Sequence, residues 1–223
     1  MNKYYLLIFL YLFISSCNSV HKISNSDRKN IISELNYIEA IDQKYAGIPP
    51  KDWIAKYGSD EAWKLFEDKR DSVGLDNQIR VKNLYNKYGY LGFEQVGEEN
   101  SYKFWISIQH ADNDVPFQKK ILKVLEKEIK KNNAEKSHYA LLEDRVATNK
   151  NKKQRFGTQL TYNESGQAIP KIGLSDSLNI DKLRLEYGLP TFKEYHNEMT
   201  IRHFEMNKEF FIKQGITEPK VFE

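Results

Sequence analysis

Between positions 31 and 206 the apolar residues of this chain recur every three or four positions. The rhythm gives way to alternation only once, near positions 158–172. A repeat of three to four lines one stripe of a helix, whereas alternation lines one face of a strand. The chain is therefore expected to be mainly α: one domain of about six to eight helices with one small β-hairpin at about residues 156–172. With Cys17 as its only cysteine, that domain has no disulfide to lean on. Its 14 tyrosines and 12 phenylalanines must build the core, although mean hydropathy is low.

The elements follow in order. Ser26 or Asp27 caps a first helix carrying Ile31, Leu35, Ile38 and Ile41, which ends near Gly47 before Pro49-Pro50. A second pattern covers 60–66, with Trp63 and Phe66. A third covers 75–88, with Ile79, Val81, Leu84 and Tyr85, and stops at Gly89. Residues 89–97 read as a glycine-punctuated loop. Asn100 is placed to cap the helix that carries Trp105 and Ile108. Pro116 sits in the first turn of the next, where a missing N–H is tolerated. That helix points Phe117, Ile121, Leu122, Leu125 and Ile129 inward and leaves a solvated face of lysines and glutamates. Residues 135–147 continue the helical pattern. Residues 158–162, a turn at 163–166 and 167–172 form the hairpin, with Pro170 restricting the second strand to an edge. Helices at 179–187 and 191–206 complete the domain, and 207–223 is a charged tail.

The start of the chain carries an address. Lys3 precedes an apolar run from Tyr4 to Ile14, then Ser15, Ser16 and Cys17. The run is shorter than the roughly 20 residues that span a membrane. Charged start, short apolar stretch and small residues are the layout of an export signal. A cysteine at its end resembles the lipobox of bacterial lipoproteins, where the thiol is acylated and becomes the first mature residue. The expected organisation is a signal peptide over 1–16, lipidated Cys17 and a polar tether over 17–26, the domain over 27–206 and the tail. The expected location is the bacterial cell envelope, anchored by Cys17, with Asn18 compatible with outer-membrane sorting. With 34 basic against 31 acidic residues, the chain lacks the strongly basic character of a nucleic-acid binder.

Three groups of polar residues can carry chemistry. Gln109, His110, Asp112 and Asp114 fall where one helix ends and the next begins. Capping explains one aspartate. The whole set also suits a general base with its orienting carboxylate, or a divalent metal held by His110, Asp112 and Asp114. Asp144 and Arg145 are neighbours on a helix and point about 100° apart, so each must face something else. Arg145 suits a bidentate clamp on an anion, or an internal ion pair. Finally, Lys150, Lys152 and Lys153 read as a solvated turn leading to Gln154, Arg155, Gly157, Thr158 and Gln159, which a plain strand does not require. Asp42, Gln43 and Asp76 add polar positions that composition alone leaves on the surface.

Taken together, Asp42-Gln43, the 89–97 loop, Gln109-His110-Ala111-Asp112, Asp144-Arg145, residues 154–159 and 183–190 resemble an uncharacterised bacterial domain family. Its marks are a Gln-His-Ala-Asp motif and a Gln-Arg-(Tyr/Phe)-Gly-Thr-Gln motif. The resemblance covers residues 30–195. Phe156 stands where that family commonly has Tyr, and Tyr90-Leu91 where it has Trp-Pro. It implies that His110, Asp112, Asp144, Arg145, Arg155 and Gln159 form one site, but it names no reaction. Three readings follow. One is an envelope hydrolase in which His110, Asp112 and Asp144 act catalytically while Gln109, Arg145, Arg155 and Gln159 hold a polar or anionic substrate. The second is a non-catalytic binding lipoprotein, and the third an internal polar network.

Overall fold

The computed structural model describes residues 23–223, so the leader and Cys17 lie outside the described part. Ten helices and one two-stranded hairpin are present among the described residues. None of those helices is long and apolar enough to cross a membrane.

Helix α1 (Asn25–Lys44) starts one or two residues before the expected cap, because the Ser24 hydroxyl accepts from the Asp27 amide. Ile31, Leu35 and Ile38 form its buried stripe. Pro50 precedes the short α2 (Lys51–Tyr57), and Gly58, at φ +80°, turns the chain into α3 (Ser59–Tyr88). The two patterns expected at 60–66 and 75–88 are thus one 30-residue helix, about 45 Å long at 1.5 Å per residue. Gly74 lies in its interior with open space around it. One glycine costs a helix only about 1 kcal/mol, which packing of the long stripe readily offsets.

The expected 89–97 loop contains a single turn, α4 (Phe93–Val96). Helix α5 (Glu98–Gln109) begins after Gly97, so Asn100 lies inside its first turn and donates to the Val96 carbonyl. Asp114 caps α6 (Val115–Lys130) by accepting from the Phe117 amide, with Pro116 in the first turn as expected. Helix α7 (Lys136–Thr148) returns against α6. Leu35 of α1, Val81 of α3, Phe104 and Ile108 of α5, Ile121 of α6 and Leu142 of α7 meet in one buried cluster.

The opposite side of α7 carries a smaller cluster, Ala140 with Phe156 and Leu189. It seats the rest of the chain. Strand β1 (Leu160–Tyr162) pairs antiparallel with β2 (Ala168–Pro170), Thr161 opposite Ile169. Helices α8 (Ile180–Glu186) and α9 (Phe192–Met206) follow, the second opened by a Thr191–Glu194 capping box. The segment read as a charged tail contains α10 (Lys208–Lys213), whose Phe211 packs on Gly166 of the hairpin turn.

Candidate functional site

The polar residues expected to make one site are divided by α7. Asp144 and Arg145 are responsible, since adjacent helical residues point about 100° apart.

Asp144 is fully buried. Its Oδ1 accepts from the Arg155 and Phe156 amides at 2.8 and 3.0 Å. Its Oδ2 accepts from the Thr158 amide at 2.8 Å and the Thr158 hydroxyl at 3.0 Å. Hydrogen bonds to a charged acceptor are worth roughly 1.5–3 kcal/mol each, so the carboxylate fixes the loop strongly. Gln154 pinches the same loop, donating to the Gln159 carbonyl and accepting from its amide. Gly157 allows the turn at φ +67°, where a Cβ would lie 2.9 Å from the Leu174 side chain. From the other side Arg184, also fully buried, donates to the Phe156 and Pro190 carbonyls. Burial pushes the Asp144 carboxyl up, and its four donors draw it part of the way back. The Arg155 side chain faces outward, pairing with Glu143 at 3.3 Å and lying over the Phe156 and Tyr187 rings. The Gln159 side-chain amide contacts the Thr158 hydroxyl.

Arg145 leaves the other side of α7 and grips both oxygens of Asp112, at 2.7 and 2.6 Å. Asn149 adds a third donor at 2.8 Å. Burial pushes the Asp112 carboxyl up, but the hydrogen bonds from Arg145 and Asn149 outweigh it and the net shift is downward. This pair ties α7 to the corner between α5 and α6. The corner is also held from below: fully buried Gln118 donates to the Gln109 carbonyl and to the Ile108 carbonyl, which also accepts from the Ala111 amide. Gln109 is buried too, and its amide donates to the Leu141 carbonyl.

His110 stands at the end of α5 in an open cleft of about 640 Å³. Asp42 and Tyr45 from the end of α1, and Arg70 and Asp71 from the middle of α3, face it across the cleft, with Asp112 and Arg145 beside it. The imidazole reaches solvent, and no hydrogen bond acts on its ring. Crowding by the cleft wall and the charge of Arg145 lower its pKa, against the opposing pull of Asp42 and Asp112. The net shift favours the uncharged ring. Arg70 is held by the Tyr45 and Gly47 carbonyls and lies over the Phe66 ring.

The model of a family of unknown function, DUF6624, matches residues 45–205. The chain belongs to that family. No curated protein and no solved structure matches it significantly. The DUF6624 span contains both the His110 corner and the Gly157 loop and leaves Asp42 just outside.

Of the expected site residues, His110, Asp112 and Arg145 come together at the cleft. Asp144, Arg155 and Gln159 belong to the loop on the other side of α7, and Gln109 is packed beneath the corner. The metal set expected from His110, Asp112 and Asp114 does not assemble. Asp114 caps α6 and pairs with Lys82 of α3, while Asp112 pairs with Arg145. Among the described residues no three His, Cys, Asp or Glu side chains are grouped as metal ligands. Sequence reasoning missed Arg70 and Asp71, and reached Arg184 only as part of the 183–190 stretch, without a role. The signal for that role is its place four residues after Ile180, on a helix's buried stripe.

Proposed function

We propose that this protein is a lipid-anchored envelope hydrolase in which His110 acts as general base on a small polar substrate bound in the cleft between α1, α3 and the α5–α6 corner. The observation that carries the reading is the state of His110. The ring is unbonded to protein and open to solvent, and its lowered pKa favours the uncharged form, whose lone pair can take a proton. Among the described residues the cleft wall presents no Ser, Thr, Cys or Lys side chain, and the reading takes water, activated by His110, as the nucleophile. In the step itself, a His110 ring nitrogen takes a proton from water as the oxygen attacks the hydrolysable centre. The imidazolium then returns that proton to the leaving group. Arg145 acts by holding Asp112 and the corner in place, since both bonds it makes go to that carboxylate. Anchoring by Cys17 is supported by the pattern of residues 3–17.

A non-catalytic binding role has one observation in its favour: no carboxylate orients the His110 ring, because both Asp112 oxygens are taken by Arg145 and Asn149. A panel of small polar compounds, followed through the His110 ring NMR signals and then for turnover, separates the two. The hydrolase reading expects a bound compound to be cleaved, with His110→Gln retaining binding and losing turnover. Binding without cleavage assigns the cleft to recognition alone. Binders that leave the His110 signals unmoved remove the site altogether.

A further inference from the structure

The sequence reads Lys150, Lys152 and Lys153 as a solvated turn and the α6 lysines as a solvated face. The fold brings them together. Helix α7 returns against α6, so the turn after α7 arrives beside the first turns of α6. Asn149 marks the junction by its bond to Asp112. Asn151, at φ +53°, bends the chain there, and the Lys150 and Lys152 amides both bond back to the Ala147 carbonyl. Lys119 and Lys123, one helical turn apart on α6, share a face, and all four lysines are exposed.

The Lys119 ammonium acts directly on that of Lys150, with Lys123 and Lys152 adding to the same field, and its pKa is lowered. Four like charges held on a fixed helix–turn scaffold form a surface whose complement is an array of anions. Among the described residues a few lysines stand in ion pairs, as Lys82 does with Asp114 and Lys103 with Glu39 and Glu99, and none of these four is among them.

We infer that Lys119, Lys123, Lys150 and Lys152 form a docking surface for the phosphate-bearing headgroups of an anionic membrane. The choice of a membrane rests on the anchored reading above. A tether of about ten residues holds the domain within a few nanometres of the bilayer, where each lysine at the surface adds to attraction.

The test uses the full chain carrying Cys17→Ala, so that no acyl group contributes. Flotation is compared on vesicles of phosphatidylglycerol with phosphatidylcholine and on phosphatidylcholine alone, and the phosphatidylglycerol-dependent part of binding is read. The expected result is a clear dependent part that fades between low and physiological salt. Changing all four lysines to glutamine should reduce it by about a hundredfold or more. Neutralising Lys64, Lys69, Lys193 and Lys213 instead should leave most of it. Equal loss from both sets would reduce the effect to net charge and overturn the patch, as would no dependent part in the parent. Suppression by millimolar inorganic phosphate at constant ionic strength would reassign the lysines to a free-anion site. Whether Cys17 is acylated is read separately, from the mass of the unmutated protein recovered from membranes, so failure of the anchor and failure of the patch give different results.

Discussion

Asp144 and Arg145 are consecutive, yet they govern opposite kinds of place. Behind Asp144 each carboxylate oxygen has two hydrogen-bond partners, and Phe156 and Thr158 are buried around it. In front of Arg145 the cleft is open, and its most reactive side chain, His110, has none. The pair teaches that a polar signature in sequence can mean two things at once. A saturated, buried carboxylate positions backbone and has no lone pair left for chemistry. An unsatisfied group in a cleft can still act on a ligand.

The widest separation between the two regions should come from Asp144→Ala. It leaves three amides and Arg184 without their counter-charge, and the expected loss is about 3–5 kcal/mol, read from the urea midpoint. A loss under about 1 kcal/mol would contradict the lock. Acid provides the next contrast. His138, stacked on Trp105, and His196, stacked on Phe192, are both buried, and burial pushes each down to about 4. The unfolded chain takes up these protons near pH 6.5 and the folded chain only near 4. Stability is therefore full above about 6.5 and falls as pH drops towards 4, by about 3 kcal/mol per ring. Unfolding free energies measured from pH 7 to 4, in the parent and in His138→Gln and His196→Gln, should show each variant flattening part of the slope.

Two glycines sharpen the comparison further. Gly157→Ala meets Leu174 at a positive φ and should cost about 1–3 kcal/mol. Gly74→Ala, in helical backbone with open space, should instead stabilise by up to about 1 kcal/mol. Thermal unfolding of both variants distinguishes a locked backbone from a permissive one. Arg145→Ala is the mildest change. Its ion pair with Asp112 is partly exposed, so the loss should be about 1 kcal/mol or less. The informative readout is the His110 titration by NMR, which should move upward once the neighbouring positive charge is gone. An unchanged titration would detach His110 from this corner.

Helix periodicity made the fold readable, because the buried stripes of α1, α5 and α6 repeat every three to four residues. It misled where local letters compete with distant packing. The separate patterns at 60–66 and 75–88 suggested a break that α3 does not make, and glycine spacing hid the single turn at Phe93–Val96. At the site, the 100° argument correctly required Asp144 and Arg145 to face different partners but could not name them. Asp112 was visible as a motif letter and not as the mate of a residue 33 positions away. The far wall, built from Asp42, Arg70 and Asp71, depends on how α1 and α3 cross the corner, and no spacing along the chain encodes that.

The loop around Gly157 is held through main-chain atoms at positions 155 and 156, while Asp144 and Arg184 do the holding. Sequence drift should respect that asymmetry. Position 155 can accept many side chains without disturbing the turn, whereas Asp144 and Arg184, which never touch, are expected to be kept or lost together. A relative that retains arginine at 155 would be under a demand from outside the turn, at the exposed face beside Glu143 and Tyr187.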